Sequence, residues 1–114
     1  MLKEEQINEV SMEIILKAGN AREALQKGMK KLESFDFDNA EKEFTQAESY
    51  LKKAHQAQTE VVQGEARGED IRFSLLFAHA QDTLMTIMSE KNIFSNLLKL
   101  SKSIDKRISE LEEK

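Results

Sequence analysis

Residues 37–61, FDNAEKEFTQAESYLKKAHQAQTEV, carry the pattern that decides the fold. Phe37, Ala40, Phe44, Ala47, Leu51, Ala54, Gln58 and Val61 recur at alternating intervals of three and four. An α-helix turns once in about 3.6 residues, so positions so spaced share one side. Upstream, Ile7, Ile14, Ala18, Ala21, Leu25, Gly28 and Leu32 repeat the rhythm, with Ser11 as the polar interruption. Downstream, from about Asp70, Phe73, Leu76, Ala80, Leu84, Ile87, Phe94 and Leu98 fall on one broad face. Three amphipathic helices follow, at about 3–33, 37–63 and 69–110.

The breaks agree. Asp36 and Asp38 stand before the second stripe, where a carboxylate accepts free helical amides, and Asp38 with Glu41 has capping-box spacing. Gly64 and Gly68 bracket a charged stretch before the third helix and permit the left-handed backbone of a helix end. Connections this short set neighbouring helices antiparallel. The expectation is an all-α, up-down-up three-helix bundle, with residues 1–114 as a single domain.

Composition narrows the rest. The 114 residues include no Pro, four Gly and 6% aromatics, which disfavours all-β and Rossmann-like folds. Seventeen Lys and Arg against 21 Asp and Glu give a net charge of −4, without the basic footprint of a nucleic-acid binder. The start, MLKEEQINEV, has acidic residues where a signal peptide has its apolar core. No cysteine is present, so disulfides, thiolate metal sites and cysteine nucleophiles are excluded on this chain. The apolar run near Leu75–Ala80 is too short for a bilayer. A cytoplasmic protein is expected.

The third helix has more apolar surface than one core needs. Leu75, Ala78, Met85 and Met88 lie off its main stripe, and Leu97, Leu100, Ile104 and Ile108 continue far along it. A helix apolar on two sides is central in a larger bundle or buried against a partner, and self-association is the simplest cover. Gly19 and Gly28 weaken the first helix, so close helix approach is a reason for either.

His79 is the candidate for chemistry. It lies in an apolar setting, LLFAHAQDTLM at 75–85, with Asp82 one turn later. One imidazole nitrogen can attack an electrophile while the other is held by an acceptor. Asp82 can orient that ring, or join equivalent carboxylates of other subunits on a symmetry axis. His79 and Asp82 alone are too few ligands for mononuclear zinc. His55 reads as structural or interfacial, and the methionines as gap-fillers. Phe73, Leu75 and Phe77 read as an apolar rim beside His79 or as ordinary core.

The run Ala78-His79-Ala80-Gln81-Asp82-Thr83-Leu84-Met85-Thr86 resembles the signature of a bacterial family. That family is the enzyme IIA components of the lactose/cellobiose (diacetylchitobiose) class of the sugar phosphotransferase system. Two further stretches match in order. These are Ala18-Gly19-Asn20-Ala21-Arg22, and Ala54-His55-Gln56-Ala57-Gln58-Thr59 followed by Glu65-Ala66 and Gly68-Glu69.

The resemblance implies three-helix chains that trimerise into a nine-helix bundle. They accept a phosphoryl group from the histidine-containing phosphocarrier protein and pass it to a cysteine of the IIB component, in support of β-linked disaccharide uptake. The phosphorylated residue maps to His79. The family's axial carboxylate, which binds a divalent metal between three subunits, maps to Asp82. A hard cation such as Mg2+ relieves the repulsion of three converging carboxylates. Where many members have a second histidine, this chain has Thr83, which bears on local hydrogen bonding and partner tuning. Ala80 leans towards the cellobiose or diacetylchitobiose branch. The rival reading is a non-catalytic three-helix adaptor. A metal-storing bundle lacks the expected Glu-x-x-His ligands.

Overall fold

The computed structural model describes residues 4–114. They form α1 (Glu4–Glu33), α2 (Phe37–Ala66) and α3 (Leu75–Glu112), with no strand among the described residues. The expected start of α1 at residue 3 lies outside the described residues.

Burial follows most of the stripes, with Phe37, Gln58, Leu76 and Phe94 only partly buried. Ile7, Ser11, Ile14, Ala18, Ala21, Leu25, Gly28 and Leu32 of α1 are buried, as are Ala40, Phe44, Ala47, Leu51, Ala54 and Val61 of α2. From α3 come Ala80, Leu84, Ile87 and Leu98. The interrupting Ser11 is fully buried and donates its hydroxyl to the Ile7 carbonyl at 2.7 Å. That local bond removes the cost of placing a hydroxyl in the core.

Inter-helix pairs fix direction. Glu4 meets Arg72, and Arg22 meets Glu90, each across 68 residues, so α1 and α3 run parallel. Glu41 pairs with Lys102, Glu48 with Lys91 and Gln58 with Gln81, so α2 runs against α3. The bundle is up-down-up. It is also long and thin, 67 × 22 × 18 Å, because α3 continues past the start of α2.

Several local expectations are corrected. Asp36 alone caps α2: its carboxylate accepts the Asn39 backbone amide at 3.4 Å and side-chain amide at 2.7 Å. Asp38 falls inside the first turn, so the Asp38–Glu41 capping box does not form. Helix α2 runs on to Ala66 with Gly64 buried inside it, and α3 starts at Leu75 instead of near 69. Residues 67–74 form the connection, which leaves Phe73 outside any helix and highly exposed, not on the α3 core face. At the other end, α3 continues into the charged tail as far as Glu112.

Both of the first two helices end the same way. At α1, the Asp36 amide donates to Lys31 and the Phe35 amide to Leu32, both at 3.0 Å. At α2, the Glu69 amide reaches Gly64 at 3.1 Å and the Gly68 amide reaches Glu65 at 3.0 Å. This six-to-one, five-to-two pattern requires a left-handed residue, here Phe35 (φ 58°) and Gly68 (φ 89°). Gly68 takes it without steric cost. Phe35 does not, and its ring stacks on Phe37 with centroids 5.6 Å apart.

Candidate functional site

Helix α3 carries the site from its first turns. Ser74 caps it, accepting the Phe77 amide at 3.1 Å. Ala80, buried, holds the early part of α3 against the core. His79, the residue before, is therefore turned outward, and it is exposed. Asp82, one turn on, is exposed too. Within one protomer neither side chain has a hydrogen bond or ion pair among the described residues. The expected orienting bond from Asp82 to the His79 ring is not made.

The surroundings of Asp82 are unusual for a carboxylate. Along the same outer side of α3 stand Leu75, Met85, Ile93, Leu100, Ile104 and Ile108, all exposed. Thr83, half-buried, lies one turn beyond His79 and so shares its side. Gln81 lies two positions away and faces α2, where Gln58 Nε2 donates to Gln81 Oε1 at 2.9 Å. Gln58 sits in the apolar stripe of α2, and that substitution of polar for apolar was the sequence signal for this contact.

A cleft of about 260 Å³ opens between the end of α2, the connection and the start of α3. Val62, Glu65, Arg72, Phe73, Phe77 and Gln81 line it, and His79 does not. Phe73 and Leu75 are 83% and 77% exposed, as a rim requires, whereas Phe77 packs partly against the core. His55 is exposed on α2, beside Lys52, Met88 and Lys91 in a separate groove.

A family model described as "PTS system, Lactose/Cellobiose specific IIA subunit" matches residues 9–102. The chain belongs to this family. The lichenan-specific phosphotransferase enzyme IIA component of Bacillus subtilis is 36% identical over 100 residues, covering 88% of this chain and 91% of that protein. Among solved structures, PtcA from S. mutans superposes with a TM-score of 0.86 at 35% identity, covering 89% of this chain and 99% of that one. The Escherichia coli IIA(Chitobiose), solved in complex with HPr, gives 0.75 at 30% identity, covering 87% and 96%. His79, Asp82, Gln81 and Gln58 all lie inside the family-matched span. The family and the three-helix fold are those the sequence motifs implied.

No group of three or more His, Cys, Asp or Glu converges in a metal-holding arrangement among the described residues. Asp82 is not part of any such group among the described residues. The donor chemistry still fits a shared ion: one exposed carboxylate per chain, on an outward apolar side, supplies oxygen ligands only when several copies meet.

Proposed function

We propose that the chain is a phosphocarrier of a sugar phosphotransferase system, with His79 as the residue that carries the phosphoryl group. The exposure of His79 supports this most directly. An imidazole on the open side of a helix, free of partners within its protomer, is available to a visiting protein. The solved HPr complex of a 30% identical relative supports the histidine-containing phosphocarrier protein as donor. Family membership favours this reading over the adaptor.

The reaction asks for in-line geometry and charge neutralisation. An unprotonated nitrogen of His79 attacks the phosphorus on the donor's histidine. The new phosphorus–nitrogen bond forms as the old one breaks, and the electron pair of the broken bond stays on the donor ring. In the second transfer a thiolate of the IIB component attacks the same phosphorus, and the His79 nitrogen recovers its electron pair. The product is a thiophosphate ester on IIB, used to phosphorylate an incoming β-linked disaccharide. In this scheme the chain works in the cytoplasm. No helix among the described residues is long and apolar enough to cross a membrane.

The chain acts as a homotrimer of nine helices packed through α3, with Asp82 towards the axis. The exposed row of Leu75, Met85, Ile93, Leu100 and Ile104 supports this, since it would otherwise face water. Three Asp82 carboxylates would hold a divalent ion, Mg2+ by oxygen preference, and the ion supplies neutralising charge at the axis. Asp82 faces inward in this packing. His79 then lies on one flank of α3 and Ala78 with Gln81 on the other. Cyclic packing sets unlike flanks together, so each His79 meets the next protomer's Ala78–Gln81 side. Thr83 from its own helix and Gln81 from the neighbour are the polar side chains placed to hold phosphoryl oxygens.

Incubation with phosphoenolpyruvate, its kinase and the donor phosphocarrier should add one phosphoryl group, stable in base and labile in acid. Intact mass of wild type, His79→Gln and His55→Gln tests it. Label on His79→Gln, or loss of label in His55→Gln alone, rejects the assignment.

A further inference from the structure

We infer that Gln58 is a positioning residue for the phosphoryl site, fixing which end of the Gln81 carboxamide a phosphoryl group meets. The inference rests on the phosphocarrier reading and adds a residue to it.

A carboxamide carries an acceptor oxygen and a donor nitrogen on one carbon. Phosphoryl oxygens on a charged group are acceptors. Gln81 therefore helps when its nitrogen faces them and opposes them when its oxygen does. Gln58 decides between the two, because its Nε2 donates to Gln81 Oε1 at 2.9 Å. With the oxygen engaged by Gln58, the Gln81 NH2 is left without another partner among the described residues.

The placement of Gln58 supports a dedicated role. Ala54 and Val61, one turn to either side of it on the α2 stripe, are buried, so an apolar residue would pack at 58 without desolvating an amide. A glutamine there needs a partner. Its partner is two positions from His79, on a side chain whose orientation matters for charge. His79 and Gln81 project to different sides of α3, so in the trimer proposed above Gln58 would act across the contact, on the neighbour's imidazole.

Side-chain chemistry separates this role from packing. Gln58→Lys keeps a donor and no acceptor, Gln58→Glu keeps acceptors and no donor at neutral pH, and Gln58→Leu keeps neither. Rapid-quench phosphorylation by the phosphorylated donor should show Gln58→Lys within about twofold of wild type. Gln58→Glu should lose roughly tenfold in kcat, with KM for the donor nearly unchanged, and Gln58→Leu should fall between. Repeating the Glu and Lys variants in a Gln81→Leu background removes the group through which Gln58 acts, and their difference should vanish there. Thermal melts confirm that each variant is folded.

Three variants as fast as wild type, or a Glu–Lys difference that survives in Gln81→Leu, overturn the inference while label on His79 keeps the carrier reading. A wild type without label at His79 overturns the carrier reading itself, and this inference with it.

Discussion

Arg22 and Glu90 join α1 to α3 through two hydrogen bonds, Nη2 to Oε1 at 2.6 Å and Nε to Oε2 at 3.1 Å. Hydrogen bonding to Glu90 holds the guanidinium above its ordinary value, against the opposing effect of burial. The fork geometry fixes two parallel helices at one axial register, and Glu4 meets Arg72 of the connection at the same 68-residue separation.

A double-mutant cycle with Arg22→Ala and Glu90→Ala should give a coupling energy of about 0.5–1 kcal/mol in urea unfolding. The side chains are 44% and 32% exposed, which keeps the figure near that of a surface pair. Arg22→Lys should lose most of the coupling, because an ammonium cannot make the two-pronged contact. Coupling equal to wild type in Arg22→Lys would show that charge alone matters.

The two glycines of α1 should respond oppositely to alanine. A Cβ at Gly28 would collide with the Phe44 ring, meeting Cδ1 at 2.6 Å, and that ring is stacked on Phe94. Gly28→Ala should destabilise by about 1–3 kcal/mol despite its better helix propensity. Nothing lies within 4 Å of a Cβ at Gly19, so Gly19→Ala should stabilise the protomer by up to about 1 kcal/mol. Thermal unfolding of both decides it, and equal effects would refute the packing account.

Asp36 gives a pH dependence of known sign. The Asn39 side-chain hydrogen bond, aided by the Asn39 backbone amide, holds its carboxyl below the ordinary 3.8 against a weaker effect of burial. The folded protein therefore binds this proton less readily than the unfolded chain does. The stabilisation is fully present above about pH 4 and is lost as pH falls through the lowered value. Stability of wild type relative to Asp36→Asn should be constant from neutral pH to about pH 5 and shrink below about pH 4. A difference that grows on acidification would contradict the cap.

Asp82 should couple assembly to a cation. Chelation should lower the thermal midpoint of wild type, and Asp82→Leu should remain trimeric with no response to chelator. Light scattering that finds a monomer at micromolar concentration, with or without metal, rejects the axial arrangement.

Much of this was legible in the letters. The α1 stripe from Ile7 to Leu32 is buried at every position named, because burial on a helix follows a period that sequence displays directly. The motif around His79 identified the family, since three ordered stretches are far more restrictive than composition. Phe73 was misplaced, because a period read forward from Asp70 continues through a connection that breaks it. The left-handed Phe35 was invisible for another reason. Its conformation serves the amide bonds of Phe35 and Asp36 to Leu32 and Lys31, whatever the side chain prefers.

The sequence by itself determined the three helices, their buried sides, the family and the imidazole to test. Those depend on local spacing and residue chemistry, which a linear chain carries in full. Only the tertiary structure decided the parallel register of α1 and α3, the room at Gly28 for Phe44, and the pairing of Gln58 with Gln81. Each joins residues distant in sequence, and contact between them depends on how whole helices slide and rotate against one another.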